Sequence, residues 1–223
     1  MPKNFVSNKD VTVRMFKSDF MESLSKVHPA VPLFVFIPVI AFFIYKSIEF
    51  QISLSNILLL IVLGIFVWSL SEYTLHRFIF HFQAKSKFGQ RIHFIFHGVH
   101  HDYPMDSRRL VMPPSVSVPL AVLFYLLFEV ILGKNFVAPF FVGFLTGYLF
   151  YDMTHYAVHH FNIHNKFWLA LKKHHMRHHF QNPELGYGVS SPMWDYIIGT
   201  DFPKTKDENN KDNNNSVRAE STN

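Results

Sequence analysis

Long apolar runs alternate with polar stretches along the chain, and four of the runs reach the length of about 20 mostly apolar residues that a bilayer crossing needs. They cover 31–48 (VPLFVFIPVIAFFIYKSI), 52–70 (ISLSNILLLIVLGIFVWSL), 116–132 (VSVPLAVLFYLLFEVIL) and 135–151 (NFVAPFFVGFLTGYLFY). The intervals around 46–51 and 133–134 are long enough only for turns. The pattern predicts an all-α integral membrane protein with four transmembrane helices in two hairpins. The long interval after the second run and the residues after the fourth would then form a helical cap on one face. Residues 1–28 read as a polar N-terminal segment and 29–203 as the membrane domain. The segment 204–223 (KTKDENNKDNNNSVRAESTN) has the composition of a disordered tail.

Charge orients the helices. Five Lys and Arg precede the first run, six lie between the second and third, and eight follow the fourth, whereas the two short turns hold only Lys46 and Lys134. The excess of positive charge on the cytoplasmic side of membrane proteins places both termini and the cap in the cytosol. This is a multi-pass topology suited to a bacterial inner membrane or the endoplasmic reticulum. The net charge of +5 is accounted for by that orientation and calls for no nucleic acid. Residues 1–30 carry no cleavable signal pattern.

The candidate chemistry lies in histidine. The chain has 15 His and no Cys, and every His except His28 falls between positions 76 and 179. On the predicted topology these side chains all sit on the cytosolic side near the interface. Residues three or four apart share a helix face, so His97/His100/His101, His155/His159 and His175/His178/His179 each present converging imidazoles. His76 and His81 are five apart, about 140° around a regular helix. They need a helix end, a bulge, or two different ions. With these two the set reaches ten: His76, His81, His97, His100, His101, His155, His159, His175, His178 and His179. One ion takes four to six ligands, so ten imply two metal ions. His28, His93, His160, His164 and His174 fall outside the paired spacing. Imidazole suits zinc, copper, iron and nickel alike. Oxidation of an unactivated C–H bond in a membrane lipid requires a redox metal with O2, and zinc has no redox chemistry. The ligand type singles out none of these metals; on function two irons are favoured, with zinc able to occupy the same ligands in purified protein.

The stretches HRFIFH, HFIFHGVHHDYPMDSRRLVMPP, YDMTHYAVHH and HHMRHHF, followed by GYGVSSPMWDYIIGT, resemble the fatty acid hydroxylase superfamily. The His boxes mark the wider group of sterol and carotenoid oxygenases. DYPMDSRRLVMPP and the GYGVSSPMWDYIIGT ending are similar to the hydroxylase domain of the fatty acid 2-hydroxylases. The resemblance runs from about Pro29 to Thr200. It implies a nonheme diiron monooxygenase that hydroxylates C2 of a long acyl chain, as free acid or within a ceramide-type lipid. Many eukaryotic members carry a cytochrome b5 domain with an HPGG motif. Here His28-Pro29-Ala30 is not that motif, so electrons are expected from a separate donor, a cytochrome b5 or a ferredoxin with its reductase. Glu72 and Asp152, at the cytosolic ends of their helices, could orient His ligands. Arg108 and Arg109 could meet an acidic headgroup, and Tyr187, Trp194 and Asp195 could line the entrance. An oxygenase acting on a sterol or carotenoid, and a zinc-dependent membrane hydrolase, remain as alternatives.

Overall fold

The computed structural model describes residues 5–203 and is all-helical within them. The predicted tail 204–223 lies outside the described residues. The order is α1 (Asp19–Leu24), α2 (Val31–Glu49), α3 (Leu54–Thr74), α4 (Lys87–His93), α5 (Val99–Asp102), α6 (Pro114–His160), α7 (Lys166–Phe180) and α8 (Met193–Ile198). Starts follow local chemistry: Ser53 caps α3 by accepting from the Asn56 N–H, and Asn165 caps α7 by accepting from Phe167 and Trp168.

Three helical stretches are long and apolar enough to cross a membrane: Val31–Glu49, Leu54–Phe80 and Pro114–His160. The third and fourth predicted runs are thus parts of one element, broken at Gly133, whose φ of 78° and ψ of 163° lie outside the helical region. Lacking a Cβ, glycine adopts this backbone without strain. In a straight helix Phe128 and Phe140 would stand about 18 Å apart at 1.5 Å per residue, yet their rings lie 4.8 Å apart. Phe124 and Phe144 likewise lie 4.9 Å apart. The chain therefore reverses at Gly133, and the limbs on either side of it pack together.

The first predicted hairpin differs more. Although α2 and α3 are joined by a short turn, each packs chiefly against α6 rather than against the other. The reason is visible at small residues. A methyl placed on Gly143 would stand 2.0 Å from the Ile61 carbonyl oxygen, and one on Gly64 would stand 2.1 Å from that of Phe140. The α3 and α6 backbones touch there, as helices in lipid do through glycine. Around this contact Trp68, Phe140, Phe141, Phe144 and Tyr148 form an aromatic core, while Phe34, Val62, Leu123 and Val130 point outward and exposed. Outward apolar side chains on these helices fit a lipid surround.

Residues 5–28 are not a free polar extension. The N–H groups of Val6 and Ser7 donate to the Asp102 carbonyl, and the Val27 N–H donates to that of Arg108. Thr12 donates to the Asp106 carboxylate, and Arg91 donates to the Met15 carbonyl. The segment is fastened along the cap between α5 and α6.

Candidate metal centre

Two π-helical segments prepare the site. Leu75–Phe80 continues α3, and Phe94–Gly98 links α4 to α5. In the first, the His81 N–H donates to the His76 carbonyl, a five-residue return. That wider turn resolves the awkward spacing of His76 and His81, whose rings come within 5.0 Å. Such bulges recur at functional sites.

The ten histidines converge in two groups, His76, His81, His97, His101 and His178 in one and His100, His155, His159, His175 and His179 in the other, each with its five ring nitrogens within 4.8 Å of one another. Helical spacing predicts that each HxxHH box converges on a single point, whereas the structure divides both boxes. His97 and His101 join the first group while His100 joins the second, and His178 joins the first while His175 and His179 join the second. Residues three apart diverge by about 60° on a helix, enough to aim at neighbouring centres. The groups abut: the His101 and His179 rings stack at 4.2 Å. His93 and His174 stand outside both groups.

The donor set fits metal ions. Nε2 atoms face one another at 3.0 Å (His76–His97), 3.0 Å (His81–His178), 2.9 Å (His100–His155) and 3.0 Å (His159–His175). Two nitrogens each about 2.1 Å from one ion and at right angles to one another would be about 3 Å apart. Burial pushes His97, His100, His101, His175, His178 and His179 well below the usual imidazole range, and neighbouring imidazoles reinforce it. They are neutral at physiological pH, the form that binds metal. The Nδ1 atoms of His155, His159, His175 and His179 are buried without a hydrogen-bond partner.

The first group has a backing the second lacks. Nδ1 of His76 hydrogen-bonds to the Tyr187 carbonyl and Nδ1 of His178 to the Leu185 carbonyl, the latter at 2.8 Å. Each bond leaves Nε2 bare toward the centre. The loop that supplies these carbonyls is itself clamped. Glu72 accepts from the N–H groups of Val189 and Ser190, both at 2.8 Å, and from the Ser190 hydroxyl. Asp195 accepts from the N–H groups of Tyr187 and Gly188 at 2.9 and 2.8 Å, from Thr200, and from His174 at 3.1 Å. Burial alone would raise the Asp195 carboxyl, but these donors hold it below the usual range. Glu72 and Asp195 thus act on the histidines through the loop backbone, and Asp195, 0% exposed, does not face an entrance.

Other candidates take different places. Asp152 accepts from the Met112 N–H at 3.2 Å and the Tyr148 hydroxyl at 3.1 Å, without touching a histidine. Arg109 turns inward to Glu22 at 2.6 Å, with further bonds to Ser25 and the Val13 carbonyl, and so is not at a headgroup. Trp194 packs on Phe66 and donates to Ser69. The sequence reading missed the role of the Leu185 and Tyr187 carbonyls. The glycine at 186, with φ of 71°, was the available sign of a constrained turn.

The sequence profile of the fatty acid hydroxylase family matches residues 61–200, which hold all ten clustered histidines. The chain belongs to the fatty acid hydroxylase family. Among members of that family, it is 40% identical to a dihydroceramide fatty acyl 2-hydroxylase of Arabidopsis thaliana, over 86% of this chain and 81% of the relative. It is 35% identical to the fatty acid 2-hydroxylase of Homo sapiens, covering 86% of this chain and 57% of that one. The solved structure of full-length scs7p, with only its hydroxylase domain visible, superposes with a TM-score of 0.79 at 38% identity, covering 83% of this chain and 70% of that one. The chain is thus a hydroxylating oxidoreductase, and it carries a His-rich cluster compatible with a metal site.

Proposed function

We propose that the chain is a membrane monooxygenase that installs a hydroxyl on C2 of a long acyl chain, as the free acid or as the N-acyl chain of a ceramide-type lipid. The observation that carries the reading is the pair of five-imidazole clusters, in a chain aligned over most of its length with relatives named for hydroxylation at that carbon. His76, His81, His97, His101 and His178 would hold one ion and His100, His155, His159, His175 and His179 the other. Two irons bound there would supply the activation of O2 that oxidation of an unactivated C–H bond demands, and zinc could occupy the same nitrogens without that chemistry.

The chain's own residues do the remaining work. Burial keeps the cap imidazoles neutral, and the Leu185 and Tyr187 carbonyls fix two of their tautomers. We read α2, α3 and the two limbs of α6 as four spans, with the cap and both termini in the cytosol. A lipid whose polar end rests at the interface then brings C2 close to the cap while its tail lies among the aromatic helices. Asp152, buried one turn before His155 and bonded to Met112 and Tyr148, would steady the turn of α6 that presents His155. Electrons come from a separate carrier of cytochrome b5 or ferredoxin type with its reductase.

The test is turnover by the purified chain, loaded with iron in lipid vesicles that contain fatty acid or ceramide. Hydroxylated lipid should form only when O2 and a reduced carrier are both supplied. Free acid released from ceramide without either, and with no hydroxylated lipid, would favour a hydrolytic reading.

A further inference from the structure

Outside the two histidine groups, a cavity of about 370 Å3 opens between the N-terminal segment, the loop after α5 and the end of α6. Lys26, His28, Ser107, Arg108 and Tyr156 line it, and no acidic side chain does. The two strands of chain that carry these groups are joined, because the Val27 N–H donates to the Arg108 carbonyl at 2.9 Å. Arg109 and Arg108 thereby part company. Arg109 turns in to neutralise buried Glu22 and Asp106, and Arg108 turns out. Among the described residues the Arg108 guanidinium has no protein hydrogen bond, and its side chain is exposed.

The donors in the cavity are prepared by their neighbours. Lys26 Nζ uses one direction on Glu22 at 2.7 Å, which leaves further N–H groups for the cavity. His28 Nδ1 accepts from the Ala30 N–H, so a neutral ring carries its proton on Nε2, pointing away from its own backbone. Ser107 is anchored by its N–H on Asp10 at 3.0 Å, and its hydroxyl is not used in that bond. A guanidinium fork, an ammonium, an imidazole N–H and hydroxyls around one space match a tetrahedral oxyanion with several acceptor oxygens.

Position selects the source of that oxyanion. Pro29 in its lining is followed by Ala30, the N-cap of α2, which begins at Val31, and Ser115 in the first turn of α6 donates to the Leu24 carbonyl. Phe20 and Leu24 on neighbouring α1 are 70% and 40% exposed, as side chains entering a bilayer surface would be. On the four-span reading proposed above, on which this inference rests, this is the depth of lipid headgroups. We propose that the cavity formed by Lys26, His28, Ser107 and Arg108 is a binding site for the phosphate of an anionic membrane lipid in the leaflet under the cap.

The full chain is reconstituted in phosphatidylcholine vesicles that contain a minor share of phosphatidic acid, then extracted gently, and the retained lipid is measured by mass spectrometry. Retained phosphatidic acid should exceed its bulk share several-fold. Arg108→Gln, which touches no buried group, should lower the preference about fivefold, the effect of one cation at a membrane surface. Lys26→Gln should add to that loss. Lys17→Gln removes an exposed charge outside the cavity and should leave the preference unchanged. Retention equal to bulk in the parent protein, or equal loss in Lys17→Gln and Arg108→Gln, would overturn the proposal. Inorganic phosphate alone should not displace the lipid, and displacement by it would overturn the lipid assignment in favour of a free-phosphate site.

Discussion

Replacing Glu72 by Ala should unsettle one histidine group and spare the other. Glu72 is 4% exposed and receives the Val189 and Ser190 N–H groups. Alanine leaves the buried Val189 N–H without a partner, at about 1–3 kcal/mol, and the part-buried Ser190 N–H adds less because water can reach it, so at least about 1–3 kcal/mol falls on the 185–190 loop. The loop answers by moving, which withdraws the carbonyls from His76 and His178. Loss of such a backing bond weakens metal binding about 10- to 100-fold. The other group, with His100, His155, His159, His175 and His179, has no bond to that loop. Titration with metal under dialysis, read by elemental analysis, should show one strong equivalent left and one weakened. Glu72→Gln keeps a carbonyl oxygen for the two N–H groups and can donate its amide to the Ser190 hydroxyl, so it should restore most of the second equivalent. Equal weakening of both equivalents, or full retention of both in Glu72→Ala, would show that Glu72 does not support the first group through the loop.

Other outcomes follow from the same structure. Gly143→Ala places a methyl against the Ile61 carbonyl and should cost at least about 1–3 kcal/mol as overpacking, seen as a lower melting temperature in detergent. Arg109→Met strands Glu22, whose carboxyl is held at about 2 although its burial opposes this, by Lys26, the N–H groups of Phe16 and Met15, and Arg109. The cost should lie near the lower end of the 3–5 kcal/mol for a broken buried pair, because the other three donors remain, and thermal unfolding reads it. The cap histidines take protons less readily folded than unfolded. The stability of metal-free protein should therefore be complete above the ordinary imidazole value of about 6.5 and fall as pH drops below it, by about 1.4 kcal/mol per pH unit for each group still neutral in the fold. A melting temperature that is flat from neutral pH down to about pH 5 would contradict this.

What was legible in the sequence had a period or a composition behind it. The apolar runs marked the three helices that are long and apolar enough to cross a membrane, and the repeated HxxHH, HxxxxH and HxxxH spacings picked out the same ten histidines that the fold gathers. Their partition was not legible, because helical spacing says which residues share a face and not how two adjacent centres divide that face. The His76–His81 pair needed a π turn, which leaves no period of its own. The roles of Glu72, Asp195 and Arg109 were also hidden. Each acts on a partner more than 80 residues away or through backbone groups, and side-chain pattern carries no record of where a carbonyl will point. The close passage of α3 over α6 was visible only as isolated glycines, and their meaning needed the facing Ile61 and Phe140 carbonyls.

If two histidine-held irons oxidise C2 of an acyl chain, the oxygen of the new hydroxyl comes from O2. The most direct measurement supplies isotopically heavy O2 to the iron-loaded protein with a reduced carrier and a long-chain acyl lipid, and locates the label in the product by fragment mass spectrometry. The label is predicted on C2 and nowhere else along the chain, and it should vanish when His97 and His155, one from each group, are replaced by Ala. Label at another carbon, or an acyl chain left unchanged beside an oxidised sterol, would contradict the account.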